Sequence, residues 1–430
     1  MLRRTAYALL VLALAGTVSA CGRPAPDPAA AATSRGPITV WLSNNAQEVQ
    51  WGRAMVAAWN RRHPDQHVTA QQIPAGKTSE EAISASIIAG TTACLVFNTS
   101  PAAVPTFQKQ NGLVSLSDFP DGEKYITGRG GGLTDQYRSP DGRFYQLPWK
   151  SDPVMILYNK KLFARAGLDP DHPKLATYRE FLDTSRRLVR SGAAKAAIWP
   201  TPSSDFFQPW YDFYPAFAAQ SGGRQLIENG RPTFDSSAGR QVTAFWRKLY
   251  AEKLAPQEAY PGDALNDGKA AMATVGPWAV AAYKNSVDIG VAPVPTADGR
   301  GKEYSFSDEK SAAMFSSCRN RATAWDVLKF ATSAGQDGKF LKATGQMPMR
   351  EDLTGTYAAY FAAHPTYRAF AEQARRVVEV PNVAGSVDIW QAFRDEWTKS
   401  VVFGRQSTRS GLRHAASEIT DLLKEYGDPS

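Results

Sequence analysis

The sequence predicts an α/β protein with two lobes, each built on a mainly parallel sheet flanked by helices. At 430 residues, 43% of them hydrophobic, the chain exceeds the size at which a single core usually keeps growing. Strand and helix patterns alternate after residue 36, and a second alternating series begins after residue 152. Such alternation is typical of parallel sheets with helices on their faces.

Residues 1 to 20 have the pattern of a secretory signal peptide. A basic start precedes an apolar run over residues 6 to 15 and small residues before Cys21. The tetrapeptide Val18-Ser19-Ala20-Cys21 matches the bacterial lipobox, which implies cleavage before Cys21 and lipid on its thiol. The alternative is an ordinary secretory signal with a chance cysteine.

Residues 21 to 36 are rich in Pro and Ala and poor in large apolar residues, so we expect a flexible tether. No other stretch approaches the roughly 18 apolar residues that a membrane-spanning helix needs. We therefore expect an exported chain that is anchored by lipid to the outer face of the bacterial cytoplasmic membrane.

The charge of the chain does not indicate a nucleic-acid partner. Removing the signal peptide, which holds Arg3 and Arg4, lowers the number of Lys and Arg residues from 49 to 47 against 41 acidic residues, a net charge of +6. The sequence has no dense basic run with interleaved aromatic residues, which a nucleic-acid face would need.

The first α/β series begins with a strand at residues 38 to 42. A helix with Trp51, Met55 and Trp59 on one face follows, and then come a strand at 67 to 70, a helix at 79 to 90 and a strand from Cys94. Ligands of parallel sheets gather at the carboxyl ends of the strands. The polar loops there are Ser43-Asn44-Asn45 and Asn98-Thr99-Ser100.

The second series opens with a buried strand at residues 154 to 158, after the polar cluster Lys150-Ser151-Asp152, and Asn159 is expected to cap a helix. Further helices are predicted near residues 178 to 190, 205 to 220, 238 to 254 and 264 to 273. Residues 274 to 278 would then leave a buried strand, with Trp278 just beyond its end.

Five motifs occur in the chain in one order: YQLPWKSDPVMILYNKKLFARAGL from Tyr145, GKAAMATVGPW, IGVAPVP, TAWDVLKFATSAGQDGKFLKATGQMPMRED from Thr323, and VFGRQSTRSGL from Val402. In this order they resemble the family 1 extracellular solute-binding proteins, the sugar-binding subunits of ABC importers. The segment YSFSDEK, residues 304 to 310, departs from the family pattern, which often has a glycine pair there.

The resemblance implies a two-lobed periplasmic-binding-protein-like fold with a ligand cleft between the lobes. Lobe 1 would comprise residues 37 to 150 and 304 to 355, and lobe 2 residues 151 to 303 and 356 to 430. It also implies a monomer that captures a sugar-like solute by lobe closure and delivers it to a transmembrane permease with its ATPase. No catalytic residue, metal or cofactor is expected.

Cys94 and Cys318 are the remaining thiols of an exported chain and are expected to form a disulfide. In the resembling fold the strands next to them are antiparallel neighbours. The alternative is two buried free thiols.

A sugar pocket needs flat aromatic rings and paired hydrogen-bonding groups. Trp278 is the foremost candidate, because the resembling motif places a stacking tryptophan there. The resemblance also places an acidic ligand residue at Asp152, although an ion pair with Lys150 is the alternative. The other candidates are Trp149, Trp210, Trp390, Asn44, Asn45, Asn98 and Arg350.

Each of these candidates has a structural alternative. The tryptophans could belong to the core, and the asparagines could be turn residues that satisfy only the backbone. Arg350 could instead form a surface ion pair with Glu351 or Asp352.

Other functions remain open from the sequence. The aromatic and acidic residues would also suit a secreted carbohydrate-active hydrolase with two catalytic carboxylates, although the five histidines are scattered and no HExxH motif occurs. A structural lipoprotein or adhesin is a further alternative. Within the binding class, the solute could be a glycerophosphodiester or an amino sugar.

Overall fold

A computed structural model describes residues 28–76, 78–199, 208–283 and 286–427, with the side chains of residues 208–211 left out. Among these residues, no helix has both the length and the apolar character to cross a membrane. The expected signal peptide and Cys21 lie outside the described residues.

The strands of the described chain are β1 (Ile38–Leu42), β2 (Val68–Gln72), β3 (Leu95–Thr99), β4 (Leu147–Ser151), β5 (Met155–Asn159), β6 (Ala196–Ile198), β7 (Ile227–Glu228), β8 (Arg231–Pro232), β9 (Ala270–Val275), β10 (Ile289–Ala292), β11 (Ser305–Phe306), β12 (Lys310–Met314), β13 (Met347–Pro348) and β14 (Val377–Val378).

The helices are α1 (Pro28–Thr33), α2 (Ala46–Asn60), α3 (Ser79–Ile88), α4 (Val104–Lys109), α5 (Gly122–Gly130), α6 (Lys160–Arg165), α7 (Tyr178–Arg190), α8 (Gln208–Ser221), α9 (Ser237–Ala251), α10 (Trp278–Tyr283), α11 (Arg321–Ala331), α12 (Ala334–Thr344), α13 (Leu353–Thr356), α14 (Ala358–Ala363), α15 (Pro365–Gln373), α16 (Ser386–Trp397) and α17 (Thr408–Gly427).

Two sheets carry the two halves of the molecule. The first has the strand order β13-β4-β12-β3-β1-β2, and the second has the order β10-β5-β9-β6. β1 pairs in parallel with β2 and β3, as predicted. Antiparallel pairings predominate, so both sheets are mixed rather than mainly parallel as predicted: β12 runs antiparallel to β3 and β4, and β5 runs antiparallel to β9 and β10. This is the predicted α/β class.

The chain passes from the first sheet to the second at residues 152 to 154 and returns at residues 305 to 309. These two segments lie side by side with β14: the Val154 amide donates to the Phe306 carbonyl (2.9 Å) and the Ser307 amide to the Val378 carbonyl (3.1 Å). Together the three segments form the hinge. The chain therefore crosses between the halves more than once, and the predicted lobe boundaries stay a prediction.

The disulfide is confirmed, because Cys94 and Cys318 are bonded. Cys94 precedes β3 and Cys318 follows β12, and the two strands are antiparallel neighbours. The bond closes a separation of 224 residues in sequence, so it ties two distant parts of the first half together.

Two sequence predictions about local structure are wrong. Residues 264 to 268 form a turn rather than a helix, and the alanines after them form β9, which is buried along its whole length between β5 and β6. The pairing of β9 with both neighbours outweighs the helix propensity of alanine. Part of the expected tether is also ordered: α1 packs on α11, and Arg35 forms an ion pair with Asp326 (2.7 Å).

Candidate functional site

The polar loops at the carboxyl ends of β1 and β3 lie together, because these strands are parallel neighbours. β12 begins beside them, since Ser311 is paired with Thr99. Across the hinge, β9 ends at Val275, which is paired with Met155 at the start of β5. The facing edges of the two sheets therefore both flank the hinge, and the space between them is the candidate cleft.

Trp278 lies just past the end of β9, as predicted, and starts α10. Its side chain is half-buried and packs on apolar residues of two core clusters. The indole ring lies directly over Gly276, where an added Cβ would overlap it. Glycine at this position therefore lets the ring lie flat on the backbone. Its contact with a ligand stays a prediction.

Asp152 lies in the hinge and is only 1% exposed. One carboxylate oxygen is 3.8 Å from Nζ of Lys150, and the other accepts a hydrogen bond from the Met347 amide (3.4 Å). Burial raises the pKa of Asp152 to about 7, although the Lys150 ammonium opposes this shift. The structure thus shows the alternative arrangement, a hinge carboxylate facing Lys150.

Lys150 is buried and connects three elements of the first half. Its ammonium donates to Glu48 at the start of α2 (2.6 Å) and to Gln346 before β13, and the Gln346 amide also donates to Glu48 (2.8 Å). Burial alone would raise the pKa of Glu48, but the Lys150 charge holds it below its ordinary range. The sequence alone does not indicate a role for Glu48, because only the fold brings this residue of the first helical turn to Lys150.

The structure corrects the assignment of two tryptophans. Trp149 is 1% exposed and stacks on Trp51 (5.3 Å) in the core of the first half. Trp390 is 3% exposed and packs against Tyr214 and Phe393 in the core of the second half. Both indoles are core residues here, so neither offers a face to a ligand. Trp210 lies in α8, and its side chain is outside the described part of the chain.

The asparagines differ from one another. Asn45 is the N-cap of α2, where its side-chain oxygen accepts from the amides of Gln47 and Glu48. Asn45 thus satisfies backbone amides, which is the structural role that the sequence left open as the alternative to ligand binding. Asn44 is exposed beside it. Asn98 is half-buried with φ of 76°, a left-handed conformation that asparagine tolerates. Ligand contacts of Asn44 and Asn98 stay predictions.

Arg350 pairs with neither of the two acids named from the sequence. Its guanidinium binds Asp337 (2.7 Å) and donates to the Thr332 carbonyl (3.0 Å). Asp337 is fully buried and also binds the buried Arg129 (3.0 Å). Arg350 therefore belongs to a structural ion network of the first half. It also lines a cavity of about 430 Å³ together with Ser151 and Arg375.

The segment 304 to 310, which departs from the family pattern, supplies charged residues that the sequence analysis did not assign. Lys310 forms an ion pair with Asp308, and their side chains remain 18% and 22% exposed. Burial would lower the pKa of Lys310, but the carboxylates of Asp308 and Glu80 raise it. These groups lie beside the Asn98 loop and form a polar edge of the candidate cleft.

A cavity of about 440 Å³ lies between α3, α4 and α16 and contacts both halves. Ser386 at the start of α16 donates to the Ala102 carbonyl (2.6 Å), which fixes the second half against the first at this point. The residues lining the cavity are Thr78, Glu80, Glu81, Ser84, Ala85, Ile88, Ser100, Ala102, Ala103, Thr106, Phe107, Ser386, Val387 and Gln391.

Two sheets joined by a hinge, with an open space between their facing edges, define a two-lobed binding protein. Residues 44–338 match the family model of the bacterial extracellular solute-binding proteins, and the chain belongs to this family. Its members are exported proteins.

The chain is similar to the maltodextrin-binding protein of Bacillus subtilis (23% identical, over 66% of this chain and 67% of that protein). It is also similar to the diacetylchitobiose-binding protein of Streptomyces coelicolor (28% identical, over 62% and 64%). The alignments thus span about two thirds of these relatives. The fold matches that of the cyclic α-maltosyl-1,6-maltose binding protein of Arthrobacter globiformis, with a TM-score of 0.78, 21% identity, and coverage of 91% and 100%.

Proposed function

We propose that the protein is the solute-binding subunit of an ABC importer, which captures a sugar or sugar-like solute by lobe closure and delivers it to a transmembrane permease with its ATPase. The observation that carries this proposal is the half-buried Trp278, which follows the end of β9 beside the hinge. A flat ring at this position suits the apolar face of a sugar.

The experiment is a titration of intrinsic tryptophan fluorescence with a panel of sugars, amino sugars and glycerophosphodiesters. We expect a saturable change for at least one solute and its loss in Trp278→Ala. Trp278→Phe is the matched control, because it keeps a flat ring and should retain binding measured by calorimetry. Full affinity in folded Trp278→Ala would remove Trp278 from the site.

Within the binding class, the cavity between α3, α4 and α16 disfavours a phosphodiester. Its lining includes the carboxylates Glu80 and Glu81 and, among the described residues, neither lysine nor arginine. Phosphate recognition normally uses such cations. One relative, from Rhizobium meliloti, is named an sn-glycerol-3-phosphate-binding protein (23% identical), so glycerophosphodiesters stay in the panel.

We do not propose a catalytic role for this protein. Glu309 and Glu379 form a buried pair of acidic residues, each 1% exposed. A glycosidic bond could not reach them in this conformation, whereas hydrolysis by two carboxylates requires both to flank the scissile bond. The relatives are themselves named as binding proteins.

The proposal includes lipid attachment at Cys21. The support is the lipobox, Val18-Ser19-Ala20-Cys21, after an apolar signal segment. We expect the full-length protein to fractionate with membranes and Cys21→Ala to lose lipid labelling; labelling that persists in that variant would contradict the assignment.

A further inference from the structure

Most of the surface that the cavity between α3, α4 and α16 presents is apolar, although eight of its 14 lining residues are polar or acidic. Ala85 and Ile88 of α3 lie on one side, Ala102 and Phe107 at the base, and Val387 of α16 on the other side. Ile88 is 77% exposed and Val387 45% exposed, and with Phe403 they are the exposed large hydrophobic residues of the described chain. Two of the three therefore lie at one cavity, on opposite halves of the protein.

This cavity lies near the polar edge of the cleft. Glu80 lines the cavity, and the charge of its carboxylate also raises the pKa of Lys310. Ser100 lines the cavity as well and directly follows Thr99, which is paired with Ser311 at the start of β12. A solute held by the polar edge could therefore extend into the cavity.

We infer that the solute is a sugar with an apolar substituent, an alkyl or aryl aglycone or an acyl chain, which occupies the cavity between α3, α4 and α16. The inference rests on the proposed function and extends it. Sugar hydroxyls facing Ala85, Ile88 and Val387 would lose hydrogen bonds to water without gaining others, which is unfavourable. A hydrocarbon group at this position strengthens the binding of the solute, because its transfer out of water is favourable.

The volume and position of the cavity agree with this occupant. About 440 Å³ lies within the range of small-molecule pockets, about 300–1,000 Å³. Because α3 and α4 come from one half and α16 from the other, a group bound there touches both halves. It therefore adds to the free energy that favours closure.

The test uses pairs of methyl and n-hexyl glycosides of glucose, galactose, N-acetylglucosamine and maltose, with affinities measured by calorimetry on the full mature chain. Each buried methylene should tighten binding by about two- to fourfold, so the hexyl member of one pair should bind about thirtyfold tighter or more. In Ile88→Ser/Val387→Ser this ratio should fall at least about fivefold, while the affinity for the methyl glycoside stays within about twofold.

Phe403→Ser is the matched control, because it also removes an exposed apolar side chain but one that does not line the cavity. It should keep the wild-type ratio. Both substituted cavity residues are exposed, so the double variant should fold, as its melting temperature will show. Equal affinities within each pair, or a hexyl preference that the double variant keeps, would overturn the inference and leave the proposed function standing. Binding of neither member by folded protein would overturn both.

Discussion

At the scale of single residues, the ion pair of Lys150 with Glu48 is the clearest case in which the stability of one buried charge depends on its partner. Both are buried, with about 5% of each side chain exposed. A buried charge that loses its partner is strongly destabilising, whereas replacing both partners by uncharged groups can be nearly neutral.

We therefore predict that Lys150→Met lowers the free energy of unfolding by about 3–5 kcal/mol, because it leaves the Glu48 carboxylate buried without its cation. The double variant Lys150→Met/Glu48→Gln should recover most of this loss. Urea unfolding of the three proteins measures both effects. A loss below about 1 kcal/mol in the single variant would mean that water or another cation reaches Glu48.

At the scale of secondary-structure elements, the turn from β9 into α10 controls where Trp278 lies. Gly276→Ala would place a methyl group where the indole ring now packs. We expect this variant to weaken solute binding at least about tenfold, because the ring must move away from the cleft edge, while the fold stays intact.

Gly335→Ala is the control, since a Cβ at this position in α12 meets no atom within 4 Å. It should leave solute affinity unchanged. Fluorescence titration with the solute found by the panel compares the two variants. Wild-type affinity in Gly276→Ala would show that the position of the ring does not matter for binding.

The elements that the sequence predicted best have strong local signals. The helix predicted at residues 178 to 190 is found with these bounds, and it begins with a capping box of Thr177 and Glu180. The strand expected at residues 38 to 42 is likewise found with those bounds. The two wrong predictions of local structure are the helix at residues 264 to 273 and part of the tether at residues 21 to 36. Both lie in alanine-rich segments, whose conformation depends on what packs against them.

The candidate site could be predicted only in part. Trp278 is at the end of its strand because a local motif places it there. The core position of Trp149, by contrast, is set by Trp51, which lies 98 positions earlier in the sequence and meets it only in the fold. The partner of Arg350 was missed for the same reason, since Asp337 lies on α12 and not beside it in the sequence.

At the scale of the whole molecule, two buried carboxyl groups lie where the halves meet. The Glu379 amide donates to Gln136 of the first half (3.1 Å), and its carbonyl accepts from Tyr214 of the second. Both carboxyl oxygens of Glu379 are buried without a hydrogen-bond partner in the described chain. Glu309 is one of the hinge residues. Its carboxyl group accepts hydrogen bonds from the Trp149 amide (3.2 Å) and the Ser311 hydroxyl (3.0 Å).

The environment of Glu309 and Glu379 favours the protonated form of their carboxyl groups. Burial, followed by the nearby charge of Glu309, raises the pKa of Glu379 well above its ordinary range, and Asp308 acts in the same direction while Lys310 opposes it. Burial also raises the pKa of Glu309. The surrounding Tyr137 and Tyr214 have raised pKa values too and stay neutral. In this arrangement the pair therefore binds protons more readily than two exposed carboxylates would.

Opening the halves would separate Gln136 and Tyr137 from Glu379 and let water reach its carboxyl group, so its pKa would fall towards the ordinary value of about 4.3. Because the raised pKa belongs to the closed form, closure binds protons, and a solute that favours closure must bind them too. Affinity should therefore rise as pH falls from above the raised pKa towards about 4.3 and become level below it. At neutral pH, solute capture should take up protons.

Calorimetry at pH 7 in two buffers with different ionisation heats measures this uptake directly. The wild-type protein should take up a fraction of a proton or more for each solute bound, and Glu379→Gln should lose most of that uptake while it still binds. Glu372→Gln, on the exposed side of α15, is the control and should behave as the wild type. If the wild-type protein takes up no proton, the carboxyl pair keeps the same hydration in both states, and closure must leave the contacts around Glu379 unchanged.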